Sequence, residues 1–111
     1  MPVTPEYRAY VMEQLGALLP VTDRRMFGGV GIYAEGLFFA VIDDDTLYFK
    51  TDEETRGDYE RLGMQPFRPM GEGTAAMAYH QVPGDLLETP ELLRPWAEKA
   101  LGVARGARRR R

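Results

Sequence analysis

Residues 25–50 read RMFGGVGIYAEGLFFAVIDDDTLYFK, an apolar run punctuated by glycines and by two turn signals. Ala34-Glu35-Gly36 is the first turn and Asp43-Asp44-Asp45 the second, since aspartate in a turn can bond to nearby backbone amides. Between and around them, segments 24–33, 37–42 and 46–50 have the length and the aliphatic and aromatic content of strands. The stretch therefore reads as a three-stranded β-meander. Gly28, Gly29 and Gly31 predict a bulge or a close backbone approach in its first strand. In its third strand Leu47 and Phe49 face one side while Tyr48 and Lys50 face the other.

Working outward, Thr4 is placed to cap a helix with Pro5 in its first turn, and Tyr7, Val11, Leu15 and Leu18 share one face. That helix should end near Leu19-Pro20, because proline disfavours helical geometry in the residue before it. After the meander, Thr51-Asp52-Glu53-Glu54 has the form of a capping box, so a second helix starts at Thr51 or Asp52 and stops at Gly63, with Thr55, Tyr59 and Leu62 as its apolar stripe. Segments 67–70 and 74–82 form a hairpin around Gly71-Glu72-Gly73, with Ala75, Met77 and Tyr79 on one face of the longer strand. Thr89-Pro90 opens a last helix whose stripe, Leu93, Trp96, Ala97, Ala100 and Leu101, is closed by Gly102.

The order α-β-β-β-α-β-β-α with short connections gives an α+β domain in two layers: a mainly antiparallel five-stranded sheet with helices packed on one side. One face of that sheet is left uncovered, and Tyr48 and His80 on it are large and uncharged for a solvated surface. A homodimer through that face or through a sheet edge is one expectation.

With 111 residues the chain is a single small domain, residues 1–104, followed by a basic, disordered tail at 105–111. Five of its 14 basic residues, Arg105, Arg108, Arg109, Arg110 and Arg111, lie in that tail, which leaves residues 1–104 with 9 basic against 17 acidic groups, a net of −8. An acidic body repels a phosphate backbone, so any DNA contact is expected through the arginines. No signal peptide and no membrane-length apolar run is present, and the expected location is the cytoplasm.

The residues exclude more chemistry than they offer. There is no cysteine and no serine, which removes thiolate metal sites, disulfides, cysteine nucleophiles and serine triads. His80 is the single histidine, sits in a strand, and has no partner at metal-ligand spacing. Three consecutive aspartates diverge in a turn and lack the alternate spacing of a calcium loop. Gly28-Gly29-Val30-Gly31 precedes a strand rather than a helix, so it is no phosphate cradle. No catalytic residue, metal or cofactor is assigned.

Met26-Phe27-Gly28-Gly29-Val30-Gly31-Ile32-Tyr33, followed by Phe38, Ala40, Leu47, Tyr48 and Lys50, resembles the N-terminal domain of the TfoX/Sxy family of bacterial competence regulators. Phe67, Met77-Ala78-Tyr79, Val82-Pro83 and Leu93-Arg94-Pro95-Trp96-Ala97 extend the likeness over most of residues 10–101. The resemblance implies an α+β fold and a part in activating competence genes together with a transcription factor of the cyclic-AMP receptor type on DNA. Full-length members carry a further C-terminal helical domain, for which these residues leave no room, so a stand-alone form is expected. The signature residues Arg25, Met26, Phe27, Gly28, Gly29, Tyr48, Lys50 and Tyr79 mark the expected partner surface.

The first reading is a non-enzymatic adaptor acting by protein–protein interaction in transcriptional regulation. The second is a nucleic-acid binder using Arg105, Arg108, Arg109, Arg110 and Arg111. A third, an enzyme or small-ligand protein, requires a pocket that joins Arg25, Tyr79 and His80.

Overall fold

In the computed structural model, which describes residues 3–26, 28–71 and 73–109, the chain enters helix α1 (Pro5–Gly16) through Thr4, whose hydroxyl accepts a hydrogen bond from the Tyr7 amide at 3.2 Å. The bond satisfies one of the amides left over at a helix start, and Pro5 sits where its missing N–H is not needed. Val11 and Leu15 are fully buried, as their spacing predicts; Leu18, beyond the helix end at Gly16, is only half-buried.

Segment 24–33 is two strands rather than one. β1 (Thr22–Met26) and β2 (Gly29–Ala34) form an antiparallel hairpin in which Met26 stands opposite Gly29. Gly28 lies at the reversal between them and adopts φ +78°. A tight hairpin turn that matches the strand twist needs a positive φ. The glycine read as a bulge is thus a turn, and the sheet has six strands where five were expected.

β3 (Leu37–Asp43) and β4 (Thr46–Lys50) complete the meander as predicted. Their turns carry positive φ at Glu35 (55°) and Gly36 (73°), and at Asp44 (52°) and Asp45 (51°), the backbone of two-residue hairpins. A true bulge lies at Phe39: Ile32 pairs with Ala40 but Tyr33 pairs with Phe38. The extra residue resets the alternation. Phe39 and Ala40 both enter the main core, whereas Phe38 and Val41 belong to a separate cluster on the opposite side of the sheet.

The second helix starts later than its capping box predicts. Helix α2 is Arg56–Arg61, and the turn before it is held by Asp52, whose Oδ1 accepts from the amides of Glu54 (3.0 Å) and Thr55 (2.9 Å). Thr51 is instead buried, with its hydroxyl 2.9 Å from His80 Nδ1. Gly63 ends the segment with φ +75°, but Leu62 points outward at 51% exposure rather than completing an apolar stripe.

β5 (Pro66–Phe67) and β6 (Met77–Gln81) are shorter than the expected hairpin, and a one-turn helix α3 (Gly84–Leu87) follows that no capping signal announced. Helix α4 (Pro90–Arg109) runs straight through Gly102. Val103 and Ala104 beyond it are buried, and Arg105 donates to both carboxylate oxygens of Glu35 at 2.8 and 2.9 Å. Tertiary packing therefore overrides the local glycine stop. Arg105, Arg108 and Arg109 are helical instead of forming a disordered tail; Arg110 and Arg111 lie outside the described residues.

The sheet order is β1-β2-β3-β4-β6-β5, antiparallel throughout. All four helices contribute to one core against the same face: Val11 and Leu15 of α1, Tyr59 of α2, Leu87 of α3 and Leu93, Ala97, Ala100, Leu101 and Ala104 of α4 meet Val30, Ile32, Phe39, Ile42, Leu47 and Phe49. The opposite face carries no helix of the described residues. No helix of the described residues is long and apolar enough to cross a membrane.

Candidate functional site: the open face of the sheet

Alternation along the strands places Tyr33, Phe38, Val41, Tyr48, Lys50 and Tyr79 on the uncovered face, cross-strand neighbours of one another. They do not lie flat in solvent. Val41, Phe67 and Tyr79 are 8%, 8% and 4% exposed, with Phe38 and Tyr48 packed against them, so a second, smaller hydrophobic cluster forms without any helix to cover it. Tyr33 stacks on Phe38 at 5.2 Å, Phe38 meets Tyr79 at 5.7 Å, and Tyr48 meets Phe67 at 4.8 Å. Arg24 lies 5.9 Å from the Tyr33 ring centre and the Lys50 ammonium 5.0 Å from that of Tyr79, both within cation–π range.

Two glycines of the signature allow this surface. A Cβ on Gly31 would stand 2.7 Å from Met26 Cε and 3.0 Å from Phe38 Cε1, so the missing side chain lets both lie across β2. A Cβ on Gly29 would stand 2.5 Å from the Ile42 carbonyl oxygen. The result is an apolar groove of about 380 Å³ walled by Met26, Phe38, Val41, Phe67, Met70 and Tyr79, with Asp43 also at its margin. Met77, 47% exposed, and Met70, 82% exposed, stand at its lip. A broader polar cleft containing Tyr48, Arg68 and Gln81 adjoins it and shares Asp43, Pro69 and Met70.

Burial sets the proton affinities here. It pushes the Tyr79 hydroxyl up to about 12, aided by neighbouring Tyr33, and raises that of Tyr48, with Asp43 and Asp44 adding to the effect. The same loss of hydration lowers the affinity of Lys50 for its proton.

Of the residues expected at a partner surface, Met26, Gly29, Tyr48, Lys50 and Tyr79 share this face. Arg25 does not: it borders a hollow with Arg8, Asp23 and Met12 on the α1 side. Gly28 is exposed in the β1–β2 turn, and Phe27 lies outside the described residues. His80, expected on the open face, is its converse: adjacent strand residues point to opposite sides, so it is buried toward Tyr59 at 5.7 Å while Tyr79 faces out. A pocket joining Arg25, Tyr79 and His80 is therefore absent.

The aspartate turn has a structural occupation. Asp45 accepts from the Thr4 amide at 2.8 Å and from the Thr4 hydroxyl at 2.9 Å, tying the β3–β4 turn to the start of α1. Among the described residues no group of three or more histidines, aspartates or glutamates is arranged to hold a metal. Phe38, Phe67 and Met77 were marked by the family resemblance or by strand alternation but not as part of the expected partner surface, and Val41, Arg24 and Met70 were not placed on it either. The signal for Phe38 and Val41 was masked by the Phe39 bulge within a continuous apolar run.

Residues 13–104 match the TfoX N-terminal domain, a span that runs from α1 to the last buried residue of α4. The chain is also 36% identical over 53 residues to the DNA transformation protein TfoX1 of Aliivibrio fischeri (strain ATCC 700601 / ES114), a match covering 48% of this chain and 25% of that protein. It thus aligns with only a quarter of that relative's length. The family match takes in nearly all of the folded sheet and helices, and the chain belongs to the TfoX N-terminal domain family.

Proposed function

We propose that this domain is a non-enzymatic regulatory adaptor that docks a protein partner on the open face of its sheet, in the control of transcription linked to DNA transformation. The observation that carries this reading is the apolar groove with two methionines exposed at its lip, on a face that no element of the fold covers. Contiguous exposed apolar surface is a feature of interaction sites, and unbranched methionines adapt to partners of irregular shape. Family membership and the name of the Aliivibrio relative support the setting. The resemblance drawn from the sequence names the partner class: a transcription factor of the cyclic-AMP receptor type. The domain needs no cofactor for this role and works in the cytoplasm.

The test is binding of the purified chain to such a receptor protein and to DNA, separately and together. Met70→Glu with Met77→Glu, both exposed, should abolish receptor binding and leave thermal unfolding unchanged. Neutralising Arg108, Arg109, Arg110 and Arg111 to Ala should leave receptor binding intact. Binding to DNA alone that disappears with those four arginines would transfer the function to a nucleic-acid contact instead.

A further inference from the structure

Resting on the open face as a docking surface, the charges around its groove define what docks there. Residues 1–104 carry 17 acidic groups for 9 basic ones, and Arg8, Arg56, Arg61, Lys99 and Arg105 are each held by a carboxylate. Arg24 and Lys50 form no ion pair with any described residue. Both instead lie over aromatic rings of the open face, Arg24 over Tyr33 and Lys50 over Tyr79. Those rings lead into the groove, because Tyr33 stacks on Phe38, and Phe38 and Tyr79 are themselves its walls. Half-burial strips Lys50 of hydration without supplying an anion.

The opposite margin holds Asp43, with Arg68 in the cleft that adjoins it. Asp43 lies five residues along β3 from Phe38, roughly 15 Å away at the rise of a strand. The groove is therefore apolar along its length and cationic at its Tyr33–Tyr79 end, where Arg24 and Lys50 lie over the rings. Pro69 and Met70 wall it on one side, so it is a concave slot that a flat sheet face of a second copy would bridge without entering. A single chain segment with a protruding side chain fits it.

We infer that the groove takes a short segment of a partner protein in which a large apolar residue is followed on one side by carboxylates, the apolar residue entering among Met26, Phe38, Met70 and Met77 and the carboxylates reaching Lys50 and Arg24. Desolvated carboxylate–cation contacts beside an apolar anchor fix orientation and exclude basic segments, whose charge would meet two cations.

The test is selection of a phage-displayed random dodecapeptide library on the full chain, followed by fluorescence anisotropy of the recovered peptide. The expected peptides share an aromatic or long aliphatic residue with Asp or Glu on one flank. Lys50→Glu should weaken their binding at least tenfold, and changing the peptide carboxylates to Lys should restore it on that variant. Lys50→Met, which keeps the stem over Tyr79, should lose affinity without losing stability. The inference is overturned by no enrichment, by peptides without carboxylates, or by binding that ignores Lys50→Glu. A concentration-dependent dimer that Lys50→Glu dissociates would also overturn it, by giving the face to a second copy. Receptor binding that falls with Met77→Glu but is indifferent to Lys50→Glu and Arg24→Glu removes this inference and leaves the adaptor reading standing. Indifference to all three removes both.

Discussion

Gly29 and Gly31 show how much one missing Cβ decides. Each clears a path for a different neighbour, and the neighbours differ in how far they can yield. The atom nearest an added methyl at Gly31 is the end of the Met26 side chain, which can rotate away; at Gly29 it is the Ile42 backbone carbonyl, fixed in the β2–β3 ladder. Overpacking costs about 1–3 kcal/mol. Gly31→Ala is expected at the low end of that range and Gly29→Ala at or above the high end, as measured by urea unfolding. Equal costs would mean that β2 shifts as a unit rather than clashing locally. The spacing of these glycines predicts a close approach or a bulge. The role of Gly28 as a turn residue is not legible in the sequence, because a glycine run does not reveal which member carries the positive φ.

At the scale of elements, α4 is where local signal and packing disagree most. Gly102 reads as a stop, yet the helix continues for another seven residues to Arg109. Val103 and Ala104 fill the core past it, and the paired Arg105–Glu35 side chains hold the following turn to the β2–β3 turn. That ion pair is exposed and contributes little, on the order of 0.5 kcal/mol; the apolar burial holds the turn. A Cβ on Gly102 would meet nothing within 4 Å. Gly102→Ala should therefore stabilise the domain by about 0.5–1 kcal/mol in chemical unfolding. Truncation after Leu101 should cost about 2 kcal/mol or more by removing Val103 and Ala104 from the core. For that reason the arginines are better tested by substitution than by deletion.

For the whole molecule, a buried histidine sits between the sheet and α2, and its protonation opposes folding. His80 shares a hydrogen bond with Thr51 and lies beside Tyr59; loss of hydration lowers its pKa, Glu60 of α2 opposes this and Arg56 of α2 adds to it. The unfolded chain then takes up the proton first, near pH 6.5. Stability is complete above that pH, falls as pH drops below it, and levels off only after the lowered folded pKa is passed. The difference between the native chain and His80→Gln, followed by thermal unfolding between about pH 5 and 7, should show this slope in the native chain and not in the variant. An equal slope in both would assign it to carboxylates. The acidic balance of residues 1–104 was plain from composition, whereas the grouping of Arg24 and Lys50 on one face required the strand register.

What the sequence determined by itself is what short-range chemistry controls: the Thr4 cap, the two turns with left-handed residues at Glu35-Gly36 and Asp44-Asp45, the alternation of β4, the α+β class and the family signature. Each of these depends on residues within a few positions of one another. Only the tertiary structure decided that segment 24–33 folds back on itself, that Phe39 is a bulge, that α4 passes Gly102, and that Tyr79 rather than His80 faces out beside Lys50. Those outcomes depend on which strand lies next to which. A shift of one residue in register exchanges the two faces of a strand, so the groove and its charges exist only once all six strands have paired.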